Sequence, residues 1–341
     1  MDSITQIALG AAVGEATLGK KVGNKAPLRG AIAGTIPDLD IIPGQFMGVV
    51  EQLAFHRGFS HSIVFFILLT PLLTWLVQRF SGKNREAAFY QWSLLFFLVL
   101  LTHALLDCFT TWGTQLFWPL DYRVAIQSIF VIDPLYTLPL AVSLLVLLFY
   151  HRQSRARFWL RWVGLGISTL YLMGTLINKQ IVKATFEQAL ANRSINYIDY
   201  RTQPAPLNNI LWSATAETKE GFYIGFYSLL DEAPIDFHFV PKNHDLLDGW
   251  RNHPRLQLLL TITKGYFTVE KSEEGILIND LRFGQPLGWQ KPSSAFVFRY
   301  HITRPADKNQ NELQITQQEG SLETGGNLLQ DYWARITGVK S

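Results

Sequence analysis

The first half of this chain contains four long apolar stretches, and these restrict most strongly the folds that it can adopt. A bilayer crossing needs about 20 mostly apolar residues, so we predict a membrane-spanning helix in each stretch. The predicted spans are residues 62–78, 87–106, 126–150 and 158–178. Two earlier segments are also apolar. Residues 4–18 are rich in Gly and Ala, which favours close helix packing, while residues 28–48 are interrupted by Pro37 and Pro43, which favours a re-entrant segment.

The second half has a different pattern, with charged residues at ordinary density and short runs in which apolar and polar residues alternate. Predicted strands lie at residues 223–227, 237–240, 257–263, 266–269, 275–278 and 296–303. Gly, Pro, Asn and Asp separate these runs, as is typical of a mostly antiparallel β domain. The fold class that we predict is therefore an α-helical membrane bundle of four to six spanning or re-entrant helices, followed by a mostly β soluble domain.

Three domains follow from these patterns. Residues 1–180 form the membrane-embedded domain, residues 185–305 the mostly β extramembrane domain, and residues 306–341 a polar C-terminal tail with a last helical turn near residues 328–336. The net charge of +3 is small, and basic and aromatic residues do not alternate along a groove. We therefore expect no nucleic-acid partner, and the bilayer is the one partner that the sequence indicates.

Loop charges predict an orientation, because cytoplasmic loops carry an excess of Lys and Arg. The basic residues fall into three clusters, at positions 20–29, 79–85 and 152–161. If all three clusters are cytoplasmic, the β domain lies on the outer side. The ends of the predicted helices that carry histidines and aspartates then converge at that same outer face.

His103 and Asp107 are the firmest candidates for chemistry. They lie four residues apart near the end of a predicted span, so both side chains project from one face of the helix. A simple helix-stabilising contact is the alternative. Ionisable residues inside a membrane are costly and usually functional, so we favour two ligands to one metal ion.

His56 and His61 lie five residues apart, a spacing at which one continuous helix does not present both to the same ion. Gly58 predicts a turn instead, and Ser60 the N-cap of the following helix. His61 would then lie in the first helical turn and His56 on the preceding loop. Interfacial histidines without a ligand role are the alternative, more so for His56 than for His61.

Asp38 and Asp40 follow Pro37 in an otherwise apolar stretch and lie two residues apart. Carboxylates held this way bind hard cations or bridge two metals, whereas capping beside proline is the simpler alternative. Glu15 is a metal ligand, a base behind the ligands or only an interfacial charge, and these alternatives stay open. Asp133, before a proline, is a predicted helix cap.

Together these residues predict a metal site with nitrogen and oxygen ligands and no thiolate. Such a set suits zinc, with manganese or iron as alternatives. We expect Asp38, His61, His103 and Asp107 to hold the metal. Catalytic roles then fall to Asp40, His56 and Glu15 around it, and to Arg57 as a clamp for an anionic group.

Three motifs carry a resemblance to a known family: the opening MDSITQIALGAAVGEATLGKKVGNKAPLRGAIAGTIPDLD, then HRGFSHS, and then HALLDCFTTWGTQLFWPL. In this order they closely resemble the YdjM-like family of bacterial membrane-bound proteins that are predicted to be metal-dependent hydrolases. The resemblance covers roughly residues 1–180. It implies a multi-pass protein of the bacterial inner membrane with metal-dependent hydrolase chemistry, but it names no substrate. The convergence of the His and Asp residues with Arg57 at one bilayer surface favours an ester or phosphoester substrate, with lipids among those to consider.

Two other functions compete with a hydrolase. An ion- or proton-coupled transporter also uses membrane His and Asp residues, but it needs them near the bilayer midplane rather than at one face. A non-catalytic anchor for the β domain would leave the His and Asp residues without a role.

Overall fold

The computed structural model describes residues 1–81, 87–304, 313–319 and 327–339, and the chain divides into two compact units. The first, called here the helical unit, comprises Met1–Phe46 and Phe55–Leu176. The second, called here the β unit, comprises Met47–Ala54 and Ile177–Ser341.

Helices make up most of the helical unit. They are α1 (Ser3–Val22), α2 (Lys25–Thr35), α3 (Ile41–Gly44), α5 (Ile63–Phe80), α6 (Phe89–Cys108), α7 (Pro134–Leu147) and the first part of α8 (Arg155–Asn192). Two 3₁₀ turns, Pro37–Asp40 and Phe59–His61, lie between them. Within the described residues, α5, α6 and α8 are long and apolar enough to cross a membrane, so the predicted fold class is confirmed for this half.

The third predicted span, residues 126–150, is wrong in its bounds because only the 14 residues of α7 are helical there. The Asp133 side chain accepts hydrogen bonds from the backbone N–H groups of Leu135 and Tyr136, which confirms the predicted cap. Before this cap the chain is not helical. The N–H of Ile126 donates to the carbonyl of Cys108, the last residue of α6, and the N–H of Ser128 donates to that of Phe109. Apolar composition alone does not distinguish such a buried loop from a helix.

Glycines bring α1 and α2 together, as the Gly- and Ala-rich pattern predicts. A Cβ atom on Gly10 or Gly30 would collide with the backbone of the facing glycine, and one on Gly14 would collide with the carbonyl of Ala26. The two helices therefore approach at backbone distance, which is the close packing typical of small residues in membranes. This contact fixes the end of α2, and with it the turn that carries Asp38.

The β unit contains two four-stranded antiparallel sheets. The first sheet has the strand order β1 (Asp199–Pro204), β2 (Leu211–Glu217), β3 (Gly221–Ser228) and β4 (Phe237–Pro241). The second has the order β5 (Phe267–Ser272), β6 (Gly275–Asp280), β7 (Phe298–Thr303) and β8 (Gln314–Glu319). Helices α4 (Val49–Phe55), α9 (Pro254–Thr263) and α10 (Leu328–Ile336) complete the unit. The mostly β character of this half is thus confirmed.

Several details of the β unit differ from the sequence prediction, and β1 and β2 were not among the predicted strands. Residues 257–263 were expected to form a strand, but they belong to α9, which starts at Pro254 and buries Leu256 and Leu259. Proline at the first helical position has the backbone angle that a helix start requires, and that signal outweighs the apolar run. The predicted final helical turn is confirmed as α10, and β8 also lies within the predicted tail.

Candidate metal centre

Three separate segments of the helical unit contribute to one cluster. Asp38 lies on the 3₁₀ turn that ends α2, and His61 on the 3₁₀ turn just before α5. His103 and Asp107 lie one turn apart near the C-terminal end of α6, where the four-residue spacing puts both on one face. One potential ligand atom from each of these four residues lies within 4.8 Å of the others.

Five distances inside the cluster are close to the edge length of a metal coordination tetrahedron. The Nε2 atoms of His61 and His103 are 3.2 Å apart, and they lie 3.4 and 3.5 Å from Asp107 Oδ2. Asp38 Oδ1 is 3.3 Å from the Nε2 of His61 and 3.6 Å from that of His103. Bonds of about 2.0–2.2 Å to a tetrahedral zinc ion place neighbouring ligand atoms about 3.4 Å apart.

Hydrogen bonds fix the tautomers of both histidines. His103 Nδ1 is 2.7 Å from the Gly34 carbonyl, which can only accept, so this nitrogen carries the proton. Ser60 Oγ donates to Asp40 Oδ2 and therefore accepts from His61 Nδ1. In the neutral form of each imidazole, the Nε2 lone pair is then directed into the cluster, and this is the form that ligates a metal ion.

Asp107 has one oxygen held by the protein and one that points into the cluster. The amino group of Met1 and Gln6 Nε2 donate to Oδ1, and Arg57 Nη2 lies 3.4 Å from the same oxygen. Among the described residues, buried Oδ2 has no hydrogen-bond partner. A buried carboxylate oxygen without a donor is costly, and a metal ion would satisfy it. The four residues therefore fit a divalent cation.

Asp40 lies beside the cluster rather than in it. Its side chain is buried and accepts from His56 Nδ1 at 3.0 Å, from the backbone N–H of Arg57 at 2.8 Å and from Ser60 Oγ at 2.9 Å. Burial alone would raise the pKa of Asp40, but the hydrogen bonds from His56 and from the backbone of Arg57 lower it below its usual value. Asp40 thus connects His56 to the turn that positions His61.

His56 and Arg57 border the cluster on different sides. The His56 side chain is 30% exposed, and its ring centre lies 6.3 Å from that of His61. Arg57 is buried, with a backbone φ of 56°, and its Nη1 donates to Thr110 Oγ1 at 3.0 Å. His56 can therefore meet a molecule from solvent, whereas Arg57 holds Asp107 and Thr110 in place.

Two sequence predictions need correction. Glu15 does not join the cluster: it is buried in a bidentate ion pair with Arg157, at 2.7 and 2.8 Å, and lies nine residues, or about 13 Å, along α1 from Gln6. The N-cap of α5 is Ser62, whose Oγ accepts from the Phe65 N–H. Ser60 bonds to Asp40 instead, because the chain makes a 3₁₀ turn before the helix begins.

Sequence reasoning missed several groups that hold the centre together. Gln6 is a buried amide on α1 that bonds to Asp107, and an isolated amide among small residues was the signal available for it. Thr110 bonds back to the Asp107 carbonyl and receives Arg57, and its position three residues after Asp107 gave a weaker signal. The sequence contains no signal for the Gly34 carbonyl, because residue type does not indicate which backbone carbonyl will accept a hydrogen bond.

Comparison with known proteins places these residues in a family context. The model of the family described as "YdjM inner membrane protein" matches residues 1–182, a range that contains the whole cluster. "Uncharacterized protein YfhP" of Bacillus subtilis (strain 168) is 24% identical over 237 residues, covering 66% of this chain and 68% of that protein. "Inner membrane protein YbcI" of Escherichia coli (strain K12) is 29% identical over 115 residues, covering 34% of this chain and 64% of that protein. No solved structure gives a significant match.

Proposed function

Because this chain belongs to the YdjM inner membrane protein family, we propose that it is a membrane-bound hydrolase that uses a divalent metal to cleave an ester or phosphoester at one face of the membrane. The observation that carries the proposal is the cluster of two imidazole nitrogens and two carboxylate oxygens, with Asp107 Oδ2 buried and unpartnered among the described residues. Zinc suits this set best, with manganese and iron as alternatives.

In this proposal Asp38, His61, His103 and Asp107 hold the ion. A bound ion of this kind supplies a water molecule whose pKa is lowered toward neutrality. Arg57 orients Asp107 rather than clamping a substrate anion, since its guanidinium already contacts Asp107 and Thr110. Asp40 positions His61 through Ser60, in the manner of the carboxylates that commonly support metal-bound histidines.

His56 is the residue that we assign to proton transfer. Asp40 Oδ1 accepts from its Nδ1, which leaves Nε2 with a lone pair. Hydrolysis joins the oxygen of water to phosphorus or acyl carbon while the bond to the leaving oxygen breaks. His56 would take the proton from the attacking water and return it to the leaving oxygen, as histidines do in general acid–base catalysis.

The position of the cluster along the helices supports a hydrolase over a carrier. Asp107 is the penultimate residue of α6, and His61 precedes the first residue of α5 by two positions. The side chain of Asp38 is 20% exposed. A transporter needs its site near the middle of spanning helices, whereas a hydrolase acting at an interface needs it at helix ends.

The test is turnover by the purified, metal-loaded chain in detergent. We would supply p-nitrophenyl phosphate, bis(p-nitrophenyl) phosphate and p-nitrophenyl butyrate, which separate phosphomonoesters, phosphodiesters and carboxylic esters. His56→Gln should lower kcat by about 10²- to 10⁴-fold while the metal content stays unchanged. His151→Gln, at an exposed histidine of the same unit, is the matched control and should retain full activity.

Two results would contradict the proposal. One is a fully metal-loaded chain that hydrolyses none of the three substrates, nor phosphatidylglycerol, above the rate in buffer. The other is turnover that responds equally to His56→Gln and to His151→Gln, because the proton-transfer role of His56 would then have no support.

A further inference from the structure

A cavity lies in the helical unit, where the chain passes from α7 into α8. It has a volume of about 270 Å³, and its charged lining consists of Glu15, Lys20, Arg152, Arg155, Arg157 and Arg161. None of these residues belongs to the metal centre. The metal cluster bonds to the start of α1 through Gln6, whereas Glu15 and Lys20 lie in the second half of that helix.

The lining has a large excess of positive charge. Glu15 is the one carboxylate in the lining, and both of its oxygens accept hydrogen bonds from Arg157. The distances are 2.8 Å to Arg157 Nε and 2.7 Å to Arg157 Nη2. Four cations therefore remain, Lys20, Arg152, Arg155 and Arg161. In the part of the chain that the structure describes, no carboxylate lies within ion-pair distance of these four. Like charges gathered in a concave site repel one another, which favours the binding of an anion.

Arg161 gives a second, independent indication of a ligand. Its Nε atom is buried and has no hydrogen-bond partner among the described residues. The guanidinium lies 4.7 Å from the ring centre of Phe158 and 5.5 Å from that of Trp162, so aromatic rings hold it beside the cavity. A buried guanidinium N–H without an acceptor is costly, and a phosphate oxygen is an acceptor of the matching geometry.

The start of α8 adds to the attraction for anions. Ser154 Oγ accepts from the Arg157 N–H, and the Ser154 carbonyl accepts from the Phe158 N–H, so the helix begins directly at the cavity. The partial positive charge of a helix N-terminus favours a bound anion. Here it acts together with four side-chain cations.

Aromatic side chains indicate where the cavity opens. Phe158, Trp159 and Trp162 are 44, 64 and 47% exposed, and all three lie in the first turns of α8, a candidate membrane span. Phe149, just before the cavity, is 90% exposed. Exposed Trp and Phe residues beside cations at the start of a span are typical of the level of lipid headgroups. The charge excess thus faces a region where phosphate is carried by lipid.

We propose that this cavity binds the phosphate headgroup of an anionic phospholipid such as phosphatidylglycerol. Arg155 and Arg161 contact the phosphate, Lys20 and Arg152 supply further positive charge, and the aromatic side chains of α8 contact the acyl end. The site is independent of the metal centre and of the proposed hydrolysis.

Isothermal titration calorimetry on the full-length chain in neutral detergent tests the proposal. The probes are dihexanoyl phosphatidylglycerol, dihexanoyl phosphatidylcholine and inorganic phosphate. We expect saturable binding of the phosphatidylglycerol at one site, binding of inorganic phosphate that is about tenfold weaker because it lacks the apolar contacts, and no saturable binding of the phosphatidylcholine.

Variants then locate the site. Arg155→Gln and Arg161→Gln should each weaken phosphatidylglycerol binding about fivefold, the contribution of one cation near a lipid surface. Arg79→Gln, which removes an exposed cation at the C-terminal end of α5, is the matched control and should leave binding unchanged. Because Arg155 is exposed, Arg155→Gln should fold normally, and it provides the test if Arg161→Gln does not fold.

Any of three results would overturn the proposal. Equal binding of the two lipids would mean that the cavity does not recognise the net negative charge of the headgroup. Inorganic phosphate that binds as tightly as the lipid would make this a free-phosphate site. Binding that survives both cavity variants, or that is lost in His103→Ala instead, would place the lipid elsewhere.

Discussion

The Asp40→Asn substitution tests how the protein positions the metal centre without touching a proposed ligand. Asp40 accepts three hydrogen bonds in a buried position, from His56, from the Arg57 backbone and from Ser60, which in turn receives His61 Nδ1. Asparagine has the same size but replaces one acceptor oxygen by a donor NH₂ group. At least one of the three donors is then left without an acceptor. The side chain that Ser60 connects to His61 also no longer carries a negative charge.

The magnitude follows from the type of bond that is lost. A hydrogen bond to a charged group contributes about 1.5–3 kcal/mol, and each 1.4 kcal/mol corresponds to a factor of ten. If His61 transmits this cost to the metal, affinity should fall about ten- to hundredfold, in line with the usual effect of removing a group behind a ligand. Competition with a chromogenic chelator measures the dissociation constant for Zn²⁺ directly.

Asp121→Asn is the matched control, because Asp121 is exposed and accepts from Gln115, away from the four proposed ligands. It should bind metal like the unmodified chain. Asp40→Asn should lie between this control and His103→Ala, which removes a ligand. Metal affinity in Asp40→Asn equal to that of Asp121→Asn would refute the reasoning that Asp40 supports His61.

Three further predictions concern the stability of the chain in detergent. Glu15→Gln should lower the free energy of unfolding by about 3–5 kcal/mol, because it leaves the buried Arg157 without its ion-pair partner. Metal binding should persist in this variant. Thermal unfolding measures the first effect and metal titration the second. Gly30→Ala should lower the free energy of unfolding by about 1–3 kcal/mol, because its Cβ would meet the α1 backbone. Gly166 has open space around it, so Gly166→Ala should leave the free energy of unfolding unchanged or raise it by up to about 1 kcal/mol. Burial lowers the pKa of His244, although its hydrogen bond to the Phe267 carbonyl opposes this. The unfolded chain therefore takes up the proton first as the pH falls below about 6.5, and the folded state should lose stability from there downward. In thermal scans His244→Gln should lose less stability over the same pH interval.

Each of these has a clear opposite outcome. A Glu15→Gln variant that loses its metal would connect Glu15 to the centre after all. Equal stability of the two Gly→Ala variants would mean that α1 and α2 do not approach as closely as the structure has them. An identical pH dependence for His244→Gln and the unmodified chain would remove His244 as the titrating group.

The sequence was most informative where local geometry alone determines side-chain direction. The four-residue spacing of His103 and Asp107 on an apolar helix predicted that both would face one point, and their atoms lie 3.5 Å apart. Asp38 reaches the same point through the packing of α2 on α1 at Gly10 and Gly30, and His61 reaches it through the hydrogen bonds of Ser60 with Asp40. Charge counting in the loops indicated that these segments end on one face, but it could not indicate contact.

The failures have equally specific causes. Glu15 looked like a candidate because it is a carboxylate in an apolar helix, but its partner Arg157 lies 142 residues away, and a pattern within one segment does not reveal such a partner. The 126–150 stretch was assigned from apolar composition and residues 257–263 from an alternating run, and neither pattern determines where the backbone hydrogen bonds form. The helix cap at Asp133 and the proline at Pro254 were the better predictors of where these helices begin.

The central claim is that Asp38, His61, His103 and Asp107 bind a metal ion together. Its most direct test is the number of divalent ions retained per chain, measured by elemental analysis after the purified full-length protein is dialysed against buffered Zn²⁺, Mn²⁺ or Fe²⁺. We predict stoichiometric binding of at least one of these ions, at one ion per chain, and its loss in His103→Ala but not in His151→Gln. A chain that retains none of the three ions, or a His103→Ala variant that retains as much as the unmodified protein, would contradict the account.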